Sequence, residues 1–134
     1  MATRSVIAKY FAETGSVVGS YCHSDGYIEY NGKMLMEYYN SDELAHELAE
    51  IGYISSILEN FEETKEDARN VDIPSIWESV SEFLENAAQT HGAEFLYLWD
   101  GEAWFVAQLN EADKRFEALE NFINIPIQDS IMPL

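Results

Sequence analysis

Bases are scarce in this chain: its 134 residues carry 7 lysines and arginines against 25 aspartates and glutamates, a net charge of −18. Affinity for nucleic acid comes largely from Lys and Arg displacing counterions from phosphates. Without a basic patch to supply that contribution, the overall field repels DNA, RNA and anionic lipid, which excludes direct binding to nucleic acid or membrane. Cysteine is limited to Cys22, so no internal disulfide is possible and a reducing cytoplasm suits the chain. A structural zinc takes about four Cys or His ligands, yet Cys22, His23, His46 and His91 stand at no recognisable ligand spacing. No stretch spaces carboxylates around a central glycine as a calcium loop does, so no metal site is expected. Gly15, Gly19, Gly26 and Gly32 are too scattered for a phosphate cradle or a dinucleotide fingerprint, and no cofactor is expected. Apolar runs fall far short of the ~20 residues of a membrane span. Met1–Ser5 leads into only a few apolar residues before Lys9, unlike a secretory signal.

Material for a core is ample, at 47% hydrophobic and 13% aromatic residues. Disordered acidic chains are poor in aromatics, so this composition points to a folded chain. The length fits one domain. Its charge is unevenly spread. Residues 1–36 hold three acids and three bases, residues 37–85 fourteen acids and two bases, and residues 86–134 eight acids and two bases. Acidity therefore starts beyond a neutral N-terminal region.

Ser5–Ala12 and Val17–His23 flank the turn Glu13-Thr14-Gly15-Ser16 and read as a hairpin. Asp25-Gly26 and Asn31-Gly32 bracket Tyr27–Tyr30, a short strand or an ordered loop. Lys33–Tyr39 reads as a short helix. Asn40 three residues before Glu43 resembles a capping box, and Leu44, Leu48 and Ile51 recur at helical spacing. Residues 62–72 read as an exposed linker or surface helix. Pro74 and Ser75–Glu78 open a further helix, with Ile76, Val80, Phe83, Leu84 and Ala87 as its stripe and an end near His91-Gly92. Asp100-Gly101 between Glu94–Trp99 and Ala103–Gln108 is the strongest hairpin signal. Asn110 caps a last helix bearing Ala112, Phe116, Leu119 and Ile123, and the tail from Asn124 is extended. The expected class is α+β: an antiparallel sheet of four or five strands in two hairpins, with three to four helices packed on one face. In domain terms this is one unit, divided into a neutral hairpin region 1–36, an acidic helical region 37–92, a hairpin 93–108, a helix 110–123 and a tail 124–134.

Two sets of residues could carry function. In Tyr21–Tyr27, Cys22 and His23 are strand neighbours facing opposite ways, which precludes a nucleophilic dyad. His23 and Asp25 could share a face, and with Tyr21 and Tyr27 could line a small-ligand pocket. The competing reading makes Cys22 a core residue and Asp25-Gly26 a plain turn. No catalytic residues are assigned. The second set is acidic. Glu43, Glu47 and Glu50 follow i, i+4, i+7, as do Glu78, Glu82 and Glu85, and Glu59, Glu62 and Glu66 do much the same, with Asp42 and Glu63 beside them. Such rows place a carboxylate about every 5–6 Å along a helix face. Two or three helices side by side would approach the charge density of duplex DNA, one charge per ~1.7 Å. The competing reading is a set of ordinary solvated helices.

The segments Thr3-Arg4-Ser5, Tyr21-Cys22-His23, Asp25-Gly26-Tyr27, Gly32, Leu35–Tyr39 and Tyr97-Leu98-Trp99-Asp100-Gly101 with Trp104 resemble a family of small, mostly uncharacterised bacteriophage proteins. The likeness covers residues 3–57 and 94–106 and leaves out the acidic centre. It implies phage origin and a place in the cytoplasm of an infected bacterium, and it supplies no activity. Together with the acidic rows it leads to one expectation: a non-enzymatic, DNA-mimic-like inhibitor of a host defence or nucleic-acid-processing protein, of anti-CRISPR or anti-restriction type. Its partner would be a host protein with a basic nucleic-acid-binding surface. The alternative is a nucleotide-signal-binding protein using Tyr21, His23, Asp25 and Tyr27, with Arg4, Lys9 or Lys33 meeting the anion.

Overall fold

Val6, Ile7 and Ala8 are consecutive and fully buried. Neighbours on a strand face opposite ways, so such a run needs cover on both faces, and this requirement organises the molecule. The computed structural model describes residues 3–66, 73–111 and 113–123. Its strands are β1 (Ser5–Phe11), β2 (Ser16–Cys22), β3 (Tyr53–Ile54), β4 (Ser75–Trp77), β5 (Phe95–Trp99), β6 (Trp104–Gln108) and β7 (Glu117–Ala118). The helices are α1 (Lys33–Tyr38), α2 (Asp42–Ala49), α3 (Phe61–Glu66), α4 (Val80–His91) and α5 (Glu120–Ile123), with a π-helical turn over Ile28–Gly32 leading into α1.

Among the described residues this is an α+β fold built on one seven-stranded sheet in the order β3-β2-β1-β5-β6-β7, with β4 also paired to β2. Both expected hairpins form, β1 with β2 and β5 with β6. The sheet is mixed, however, and not antiparallel. The hairpins join through their first strands, with Ser5 opposite Phe95 and Lys9 opposite Trp99 in parallel register, and β3 is parallel to β2. Strands buried on both faces favour parallel neighbours flanked by helices.

The helices consequently lie on two faces and not on one. Ile7, Cys22, Tyr97 and Trp99 point to the side covered by Leu35 of α1 and Ala45 and Leu48 of α2. Val6, Ala8, Val17, Leu96 and Leu98 point to the side covered by Phe83 and Ala87 of α4. Trp99 and Trp104 face each other across the second hairpin in an edge-on pair, ring centres 5.5 Å apart.

Several boundaries differ from expectation. Tyr27–Tyr30 is neither strand nor loop: a π-helical turn begins at Ile28 and carries Asn31 into the core. Ser41, not Asn40, caps α2, its hydroxyl accepting from Leu44 N at 3.2 Å. Ser75–Trp77 is extended, since Trp77 fills the core from the edge of β2 while Ile76 faces outward. The capping box of α4 is displaced to Ser79, which accepts from Glu82 N at 3.0 Å. Gly92 ends α4 at φ +68°, where a side chain would be strained. The helix expected over 110–123 is confined to Glu120–Ile123, because Glu117 and Ala118 pair with β6 instead. Residues 67–72, Ala112 and the tail from Asn124 lie outside the described residues. No helix among the described residues is long and apolar enough to cross a membrane.

Candidate partner-binding site

The Tyr21–Tyr27 segment is largely occupied in holding the fold. Cys22 is fully buried, and burial pushes its thiol up to about 11, away from nucleophilic use. Asn31, also buried, donates from Nδ2 to Cys22 Sγ at 3.4 Å and Ser5 Oγ at 3.2 Å, while its Oδ1 is buried without a hydrogen-bond partner among the described residues. Gly26 N donates to Thr3 O at 2.8 Å, and Gly26 O accepts from buried Tyr97 at 2.6 Å. A Cβ at Gly26 would stand 2.8 Å from Thr3 O, so the glycine is required by close approach. Asp25 adopts φ +58°.

The expected His23–Asp25 pairing is replaced by two separate ones. His23 Nδ1 is 2.8 Å from the Tyr21 hydroxyl, and its ring stacks near Tyr53. Tyr27 donates to Asp25 Oδ1 at 3.3 Å, and the Asp25 charge raises the Tyr27 pKa. Of the three bases suggested for an anion, Arg4 acts electrostatically on Tyr21. Lys9 is instead bound to Asp42 at 3.1 Å, and Lys33 lines a separate cleft of about 400 Å³ with Ile28, Glu29, Gln108, Phe122 and Ile123. Among the described residues, that cleft is lined by neither imidazole, thiol nor hydroxyl. Among the described residues, no group of three or more His, Cys, Asp or Glu side chains is placed to hold a metal ion.

The acidic rows divide between the faces of the sheet. Glu43 and Glu47 lie on α2, with Glu50 just beyond its end, and α2 contacts α3, which carries Glu62, Glu63 and Glu66. Glu59 stands just before α3, and its charge raises the pKa of exposed Tyr38. All these are on the side of Ile7 and Tyr97. Glu82 and Glu85 belong to α4 on the opposite side, with Glu78 just before it. Glu82 is partly committed to structure, its carboxylate accepting from Glu78 N at 2.6 Å. Asp42, although exposed, also has a structural task. It accepts from Lys9 and from Trp99 Nε1 at 2.9 Å, and these two bonds hold its carboxyl below the ordinary carboxylate range.

The acidic pair of helices is fixed by buried polar contacts that no periodicity indicates. Ser20 of β2 donates to the carbonyls of Leu48 and Ala49 at 2.7 and 3.0 Å and accepts from Gly52 N at 2.8 Å, closing the C-terminus of α2. Asn60 caps α3, accepting from Glu63 N. Thr64 of α3 is fully buried; its hydroxyl meets Tyr39 Oη at 2.9 Å and accepts from Leu58 N at 2.8 Å. Between the two helices runs an open groove of about 430 Å³, lined by His46, Glu47, Glu50, Ile51, Phe61 and Lys65.

No family model, curated protein or solved structure matches this chain.

Proposed function

We propose that the protein is a non-enzymatic inhibitor that occupies the basic, nucleic-acid-binding surface of a host defence or nucleic-acid-processing protein, as a DNA mimic does. The observation that supports this reading is the contact between α2 and α3, two glutamate-bearing helices on the same side of the sheet. Along each row the acids recur every ~5–6 Å, and two such rows on neighbouring helices would raise the charge density that a phosphate-binding groove meets. Like charges at i, i+4 cost a helix a few tenths of a kcal/mol per pair, and α2 bears that cost with little relief from bases. A net charge of −18 also exceeds the magnitude of roughly 2–8 that keeps a small domain soluble. Resemblance of the N-terminal motif to small bacteriophage proteins supplies the setting: the cytoplasm of an infected bacterium, with restriction or CRISPR machinery as the class of partner. Glu78, Glu82 and Glu85, on the other side of the sheet, have no part in this contact.

Capture of partners from bacterial lysate at low and high salt tests the reading. The variants Glu43→Lys with Glu47→Lys, and Glu78→Lys with Glu85→Lys, each change the net charge from −18 to −14, so they differ only in where the charge is lost. The α2 pair should lose a salt-sensitive nucleic-acid-binding partner that the α4 pair retains. Capture indifferent to salt, or lost equally in both variants, would contradict it.

A further inference from the structure

We infer that the groove between α2 and α3 receives a Lys or Arg side chain flanked by a large apolar residue of the partner, so that recognition on this face combines charge with burial. This inference rests on the acidic-face reading above and adds a chemical identity to what enters it. Ile51 and Phe61 are half-buried and pack against the core as the apolar floor. Glu47 and Glu50 stand at the rim. The chain's own Lys65 places Nζ 6.0 Å from the Phe61 ring centre, within the range at which an aromatic face attracts a cation. An ammonium group thus already stands near the Phe61 ring, on an exposed side chain one turn along the same helix.

Lys and Arg carry an aliphatic stem behind the charge, and that stem covers apolar surface while the head stays at a polar rim. A basic segment therefore satisfies floor and rim together. A purely apolar segment would desolvate Glu47, and Glu50 beside His46 at 3.8 Å, without offering either a cation. Nucleic acid is repelled by the charge of the face. Complementarity leaves a protein segment with bases beside an apolar side chain.

Two fluorescent peptides of equal length and equal Lys/Arg content decide the matter, one with Leu and one with Ser between the bases, titrated by anisotropy at low salt. The Leu peptide should bind roughly tenfold more tightly, the scale expected from partial burial of one apolar side chain. That preference should vanish in Phe61→Ser; if this variant fails to fold by circular dichroism, Ile51→Ser decides in its place. Equal affinities, or a preference that survives in the folded variant, would overturn the inference. Glu47→Lys with Glu50→Lys separates the two levels. Should it weaken both peptides equally where no Leu preference exists, the groove is refuted and the acidic face stands. If it weakens neither, both fall.

Discussion

At Gly26 the chain passes so close to Thr3 and Ser5 that no side chain fits, and Tyr97 reaches across the core to bond its carbonyl. Gly26→Ala should destabilise the protein by about 1–3 kcal/mol, the usual cost of forcing extra atoms into a packed site, read from the midpoint of urea denaturation. Asp42 offers a pH signature. Hydrogen bonds from Lys9 and Trp99 depress its folded pKa, so its contribution is present above the unfolded value of about 3.9 and is lost as pH falls through the folded value. Asp42→Asn should therefore lower stability at neutral pH, with the difference from wild type shrinking at the acid end of a series of melts. A difference that stays constant down to the acid limit would refute this role. Cys22 and Asp25-Gly26 were open to a core-and-turn reading from residue type alone. The tie through Asn31 was not, because nothing in the sequence says which buried group an Asn will meet.

Elements were legible where a local signal was strong, even where the cap lay a residue or more away from the expected one. Leu44 and Leu48 at helical spacing locate α2, and Gly92 locates the end of α4, since both signals are local. Ser75–Trp77 misleads because its residue types suit a helix start, while the site for Trp77 lies across β2, far away in sequence. Glu117–Ala118 fails for the same reason: an apolar pattern compatible with a helix is overridden there by pairing with β6. Parallel pairing of β1 with β5 had one usable sign, the unbroken run Val6-Ile7-Ala8, which a half-exposed antiparallel strand would not carry. The placement of α3 depends on Thr64, whose hydroxyl meets Tyr39 and Leu58. Thr64→Val should leave those groups unsatisfied in the interior and cost about 1–3 kcal/mol. Hydrogen exchange should show protection lost first over Phe61–Glu66, and uniform loss across the sheet would argue against so local a role.

For the molecule as a whole, the uneven charge could be read from sequence, but its geometry could not. Three rows of similar spacing look interchangeable along the chain. In the fold, two are adjacent beside α2 and α3 and the third is behind the sheet, because β1 and β5 need helices on both faces. The acidic helices α2 and α3 share one side of the sheet, and the neutral region supplies the strands β1 and β2 on which α2 packs. Association rates with a purified partner, measured against ionic strength, address this arrangement directly. Electrostatic steering accelerates association at low salt and fades as the Debye length shortens from about 30 Å at 0.01 M to about 10 Å at 0.1 M. The wild type and Glu78→Lys with Glu85→Lys should both slow steeply as salt rises, whereas Glu43→Lys with Glu47→Lys should start slower and respond much less. Equal slopes for the two variants, whose net charges are the same, would contradict a binding face on α2 and α3.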